Sequence, residues 1–117
     1  MPKKSPIPNP LERRHLIERA APAEQSLRLA EAYVAEGRTW EAIAFLVKAD
    51  ARDRLAALRE EAVEAGDTFL VRELTRALRD EVPAARWRSI AAAATNAGKE
   101  RYAAQALRLA ERAEGRS

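Results

Sequence analysis

Three glycines interrupt what would otherwise read as long helices. They sit inside "YVAEGRTWEAIAFLVKA", "EAVEAGDTFLVRELTRAL" and "AAATNAGKERYAAQALRLA", at Gly37, Gly66 and Gly98. Glycine in a helix interior costs roughly 1 kcal/mol against alanine, so its recurrence asks for another use. A glycine takes positive φ readily at a helix C-terminus, and a second helix can start directly after it. Before Gly37, Leu29, Ala30 and Tyr33 follow the spacing of one buried helical face. After it, Ala42, Leu46 and Ala49 form another, with Trp40, Ile43 and Val47 beside them. Gly37 is therefore predicted to be the hinge of a helical hairpin.

The hairpin recurs. At −11, −8, −7, −4, +5, +9 and +12 from Gly37 stand Ser26, Leu29, Ala30, Tyr33, Ala42, Leu46 and Ala49. From Gly98 the same offsets give Trp87, Ile90, Ala91, Ala94, Ala103, Leu107 and Ala110. Gly66 gives a looser set: Leu55, Leu58, Arg59, Ala62, Val71, Thr75 and Leu78. Small residues let paired helices approach, and the larger ones fill the space between them. The glycines are 29 and 32 residues apart, a period typical of stacked arrays in which each unit is covered by its neighbours.

Seven helices follow, at about 10–20, 23–36, 39–50, 52–65, 68–80, 84–97 and 99–113. Asn9 is an expected N-cap, Pro10 suits the first helical position, and Glu12 the first turn. Residues 1–8, rich in proline and lysine, are expected to form a flexible arm. A single helical-repeat domain is expected over 9–117, with repeats at about 23–50, 52–80 and 84–113. Ala, Leu, Arg and Glu dominate, and all are strong helix formers, so the class is all-α. The bias toward alanine and arginine is that expected of a GC-rich bacterial coding sequence.

Net charge is concentrated at one end. Residues 1–20 hold five basic side chains (Lys3, Lys4, Arg13, Arg14, Arg19) and two acidic ones, leaving sixteen of each for the remainder. No apolar run nears the roughly 20 residues of a membrane span, and "MPKKSPIPNP" lacks the apolar core of a secretory signal. A cytoplasmic protein without membrane contact is expected.

The offsets resemble those of the tetratricopeptide repeat, a helix–turn–helix unit of about 34 residues. "LRLAEAYVAEGRTWEAIAFLVKA" is similar through Leu29, Ala30, Tyr33, Gly37, Ala42 and Ala49. "WRSIAAAATNAGKERYAAQALRLA" is similar through Trp87, Ile90, Ala91, Gly98, Ala103 and Ala110, with Pro83 at the position of the preceding unit's terminal proline. The units here are shorter, Arg59 stands where a small residue is usual, and the aromatic after the glycine is shifted. The resemblance spans roughly residues 23–113 and implies a right-handed superhelical stack of three repeats, a tetratricopeptide-like α-solenoid. A less regular array of hairpins is the alternative.

The resemblance also implies peptide or helix binding on a concave face lined by each repeat's first helix. The matching positions include Glu24, Leu27, Glu31 and Val34, then Asp53, Ala56, Glu60 and Val63, then Arg88. An acidic and apolar strip of this kind suits a basic or amphipathic segment of a partner protein; the plainer alternative is a set of solvated charges. Trp40 and Trp87 are expected in packing between helices. With one histidine, no cysteine and none of the phosphate-loop, dinucleotide or HExxH motifs, no catalysis, cofactor or metal is expected. The first reading is a non-catalytic scaffold or adaptor. Alternatives are nucleic-acid binding through Lys3, Lys4, Arg13, Arg14 and Arg19, and a homodimer formed through terminal helices bearing Tyr102, Ala106 and Leu109.

Overall fold

The computed structural model describes residues 6–18 and 22–115. Among them are seven α-helices and no strand: α1 (Pro10–Glu18), α2 (Ala23–Ala35), α3 (Thr39–Lys48), α4 (Arg52–Ala65), α5 (Thr68–Leu78), α6 (Ala84–Asn96) and α7 (Glu100–Glu114). The all-α expectation holds, and helix ends fall within two residues of those read from sequence. The expected end of the first helix near residue 20 lies outside the described residues, as does most of the N-terminal arm.

Each of the three glycines ends a helix, with φ of 73° at Gly37, 68° at Gly66 and 75° at Gly98. At the first turn Gly37 N–H donates to Val34 O and Arg38 N–H to Tyr33 O, both at 2.9 Å. Gly66 and Asp67 repeat the pattern onto Val63 and Ala62, and Gly98 and Lys99 onto Thr95 and Ala94. This pair of bonds satisfies carbonyls that a helix C-terminus otherwise leaves open, and it requires a left-handed residue. Two further turns use it without glycine. Asp50 (φ 54°) and Arg79 (φ 53°) close α3 and α5, with the next residues, Ala51 and Asp80, donating to Leu46 O and Thr75 O.

The chain divides into two compact units, Met1–Arg54 and Leu55–Ser117. In the first, α2 packs on α3, and α1 lies against α3. Ala30, Tyr33, Ala42, Phe45 and Leu46 are fully buried, and the rings of Tyr33 and Phe45 stack with centroids 5.6 Å apart. No residue of α1 is fully buried; polar contacts hold this helix. The Arg13 guanidinium lies 5.5 Å from each of those two ring centroids and donates to Glu41 O at 2.8 Å. Lys48 Nζ donates to Leu16 O and Ile17 O, the open carbonyls of the last turn of α1. At its start Asn9 accepts from Glu12 N–H at 2.9 Å and donates to the Glu12 carboxylate, the predicted cap.

In the second unit α6 and α7 pack along their alanines, and α5 touches both. Ala91, Ala94, Ala103, Ala106 and Ala110 are buried there, with Ile90 and Trp87 supplying bulk. Thr68, fully buried, donates its hydroxyl to Tyr102 O at 2.8 Å, and Lys99 Nζ donates to Ala65 O at the end of α4. Two packing expectations are corrected. Trp40 is 59% exposed and Leu107 is 49% exposed. Leu107 occupies the offset at which Leu46 and Thr75 are buried, yet it lies exposed on α7. Arg59, half-buried where a small residue is usual, turns outward to pair with Asp80 at 3.0 Å.

The glycines are not equivalent. A Cβ on Gly37 or Gly98 would meet nothing within 4 Å, whereas on Gly66 it would stand 2.8 Å from Ala93 C and closer still to Ala94 backbone. Gly37→Ala and Gly98→Ala should each cost about 1 kcal/mol from backbone strain. Gly66→Ala adds steric overlap and should cost about 3 kcal/mol. Arg79→Gly should stabilise by about 1 kcal/mol through relief of the same strain. Urea unfolding of the four variants checks this ordering, and equal costs at the three glycines would contradict it.

Candidate partner-binding surfaces

Glu24, Leu27, Glu31 and Val34 are spaced by three, four and three residues, which sets them on one stripe of α2. The opposite side of the helix carries the buried Ser26, Ala30 and Tyr33. Along the stripe Glu24 and Glu31 are exposed, while Leu27 and Val34 are half-buried. Asp53, in the first turn of α4, is also exposed. The first unit therefore carries three carboxylates and two apolar side chains of the expected set.

One of those carboxylates is already held. Arg54 Nε and Nη2 donate to the two oxygens of Glu31, each at 2.8 Å, in a bidentate pair. Hydrogen bonding from Arg54 lowers the Glu31 pKa below its ordinary 4.5, against a smaller opposing effect of burial. A similar pair links Glu41 to Arg38, whose hydrogen bonds lower the Glu41 pKa. Glu24 and Asp53 make no ion pair among the described residues.

The second unit repeats the arrangement. Glu60 is exposed, Ala56 and Val63 are half-buried, and Arg86 binds the Glu60 carboxylate. Glu31 and Glu60 each lie six residues before their glycine, and Arg54 and Arg86 each lie twelve before the next one. The two ion pairs thus share a register that the sequence reading missed, although the recurring Glu and Arg offsets were there to be found. Val63, Val71, Val82 and Pro83 join Glu60 and Arg86 around a cleft of about 200 Å³. Arg88 is exposed and pairs with Glu114 of α7, so its charge is engaged within the chain.

The basic residues considered for nucleic acid are dispersed in their roles. Lys3, Lys4 and Arg19 lie outside the described residues. Arg13 is half-buried above the Tyr33 and Phe45 rings, and Arg14 pairs with Glu18 along α1 at 3.0 Å. His15 is exposed. Among the described residues no helix is long and apolar enough to cross a membrane. No family model, curated protein or solved structure matches the chain.

The Glu31–Arg54 pair has a defined pH signature. Because the folded-state pKa of Glu31 is lowered, its contribution is present above the ordinary glutamate range and lost as pH falls through the folded pKa. The side chains are 48% and 35% exposed, so solvent screening should hold the contribution below about 1 kcal/mol. Glu31→Gln should therefore lower the melting temperature at pH 7 and leave it equal to wild type near pH 2. Thermal melts across that range check the convergence; a deficit unchanged at acid pH would refute the assignment.

Proposed function

We propose that the chain is a non-catalytic protein-interaction module, a scaffold or adaptor of the tetratricopeptide-like, right-handed helical-repeat kind. Its ligand on this reading is a basic or amphipathic helical segment of a partner protein. The observation that carries the proposal is the stripe on α2, where exposed carboxylates alternate with half-buried Leu27 and Val34. Such a stripe offers an apolar seam to one face of an amphipathic helix and negative charge to flanking lysines or arginines.

Two recurrences support the repeat reading: the same hydrogen-bonded turn at Gly37, Gly66 and Gly98, and the same Glu-to-Arg register in Glu31–Arg54 and Glu60–Arg86. With Glu31 and Glu60 engaged, Glu24 and Asp53 are the charges left for a basic partner. The surface is accordingly more apolar and less acidic than its residue list suggests, and this favours an amphipathic segment over a merely basic one.

The test uses a fluorescein-labelled helical peptide of lysine and leucine, read by anisotropy. Wild type should bind it, and Glu24→Lys combined with Leu27→Ala should weaken binding about tenfold or more, with far-UV circular dichroism unchanged. These positions leave the Arg54 pair and the buried face of α2 intact. Equal binding by the double variant would remove α2 as the site.

A further inference from the structure

A larger groove, of about 670 Å³, opens wholly within the second unit, between α5, the segment 80–83, the start of α6 and the end of α7. Trp87, Val82 and Leu109 supply apolar lining. Thr75 also lines it, is 8% exposed, and its buried hydroxyl has no hydrogen-bond partner. A hydroxyl left so costs free energy, and helical threonines ordinarily bond back to the preceding turn. That hydroxyl is closed to solvent, so Thr75 offers the groove no polar contact.

Charges at the rim indicate what the groove can hold. Asp80 is engaged by Arg59 and Glu114 by Arg88. Arg76 has Glu73 at 3.9 Å. Arg72 and Arg112 make no ion pair among the described residues, and Glu81 is the one rim carboxylate in the same state. Open guanidinium groups thus outnumber open carboxylates beside an apolar floor.

We propose that this groove is a second binding site, for an acidic peptide segment bearing a large apolar side chain. The apolar side chain rests on Trp87 and Leu109. A carboxylate of the segment accepts from Arg72 or Arg112, which suit it by their planar fork. A volume of this size holds a few residues of a peptide. This site is distinct from the α2 stripe and opposite in charge preference, so either can fail without the other.

The experiment measures anisotropy of a fluorescein-labelled peptide of alternating glutamate and leucine, beside a matched peptide with glutamine for glutamate. The glutamate peptide should bind at least about tenfold tighter, and Arg72→Ala with Arg112→Ala should abolish that preference. Thr75→Val should raise the melting temperature, because it removes a buried hydroxyl without a partner, and leave the preference for the glutamate peptide intact. Equal binding of both peptides, or retention of the preference in the double arginine variant, would overturn the site. So would a dimer, seen by sedimentation, whose formation excludes the peptide, since a second copy of the chain would then be the occupant.

Discussion

Every hairpin in this chain depends on one backbone conformation placed at the end of a helix. Five successive helices, α2 to α6, close with a residue at positive φ whose N–H, together with that of the residue after it, bonds back to the last turn. That turn redirects the chain while satisfying carbonyls that burial would otherwise make costly. With the turn provided locally, the next helix can begin within a few residues, and α2 packs on α3 and α6 on α7 in this way. The cost of ordering long loops never arises, and local contacts of this sort favour rapid folding.

The two units then use different chemistry to fill their interiors. The first relies on an aromatic pair, Tyr33 on Phe45, roofed by the Arg13 guanidinium. Arginine suits that place because its flat, weakly hydrated cation stacks on rings, which offsets the burial of its unpartnered Nε. The second relies on close approach: alanines of α6 and α7 let the helices meet, and Gly66 brings the α4–α5 turn onto the backbone of α6. Bulk and proximity are alternative routes to the same packing density, which is why one repeated outline tolerates such different side chains.

This difference explains what could be read from the residues alone. The turns at Gly37, Gly66 and Gly98 were legible because glycine is the residue that positive φ selects. Those at Asp50 and Arg79 were not, because neither residue advertises the conformation; arginine in particular gains nothing there. The buried offsets held for Ser26, Leu55 and Trp87, whose register is fixed by the hairpin itself. They failed for Leu107, exposed although Leu46 and Thr75 at the same offset are buried, and Trp40, expected in packing between helices, is exposed as well. The α2 stripe was found by periodicity. Its charge was misjudged, because pairing with Arg54 depends on a contact 23 residues distant, and the groove beside Trp87 is lined from α5, residues 80–84 and the end of α7, which no local sequence pattern brings together.

Charge on this protein has to be counted after its internal pairs are formed. With sixteen acidic and sixteen basic side chains beyond residue 20, a census of residues reports neutrality everywhere and distinguishes no face. Pairing changes the answer. Arg54 and Arg86 quiet two glutamates, and Arg59 and Arg88 quiet two of the three carboxylates lining the second unit's groove. Open charges then include Glu24 and Asp53 in one unit, and Arg72 and Arg112 beside an apolar floor in the other. Exposed pairs add little to stability, but by deciding which charges stay open they decide which partners each surface can attract, and that is the larger consequence of where they form.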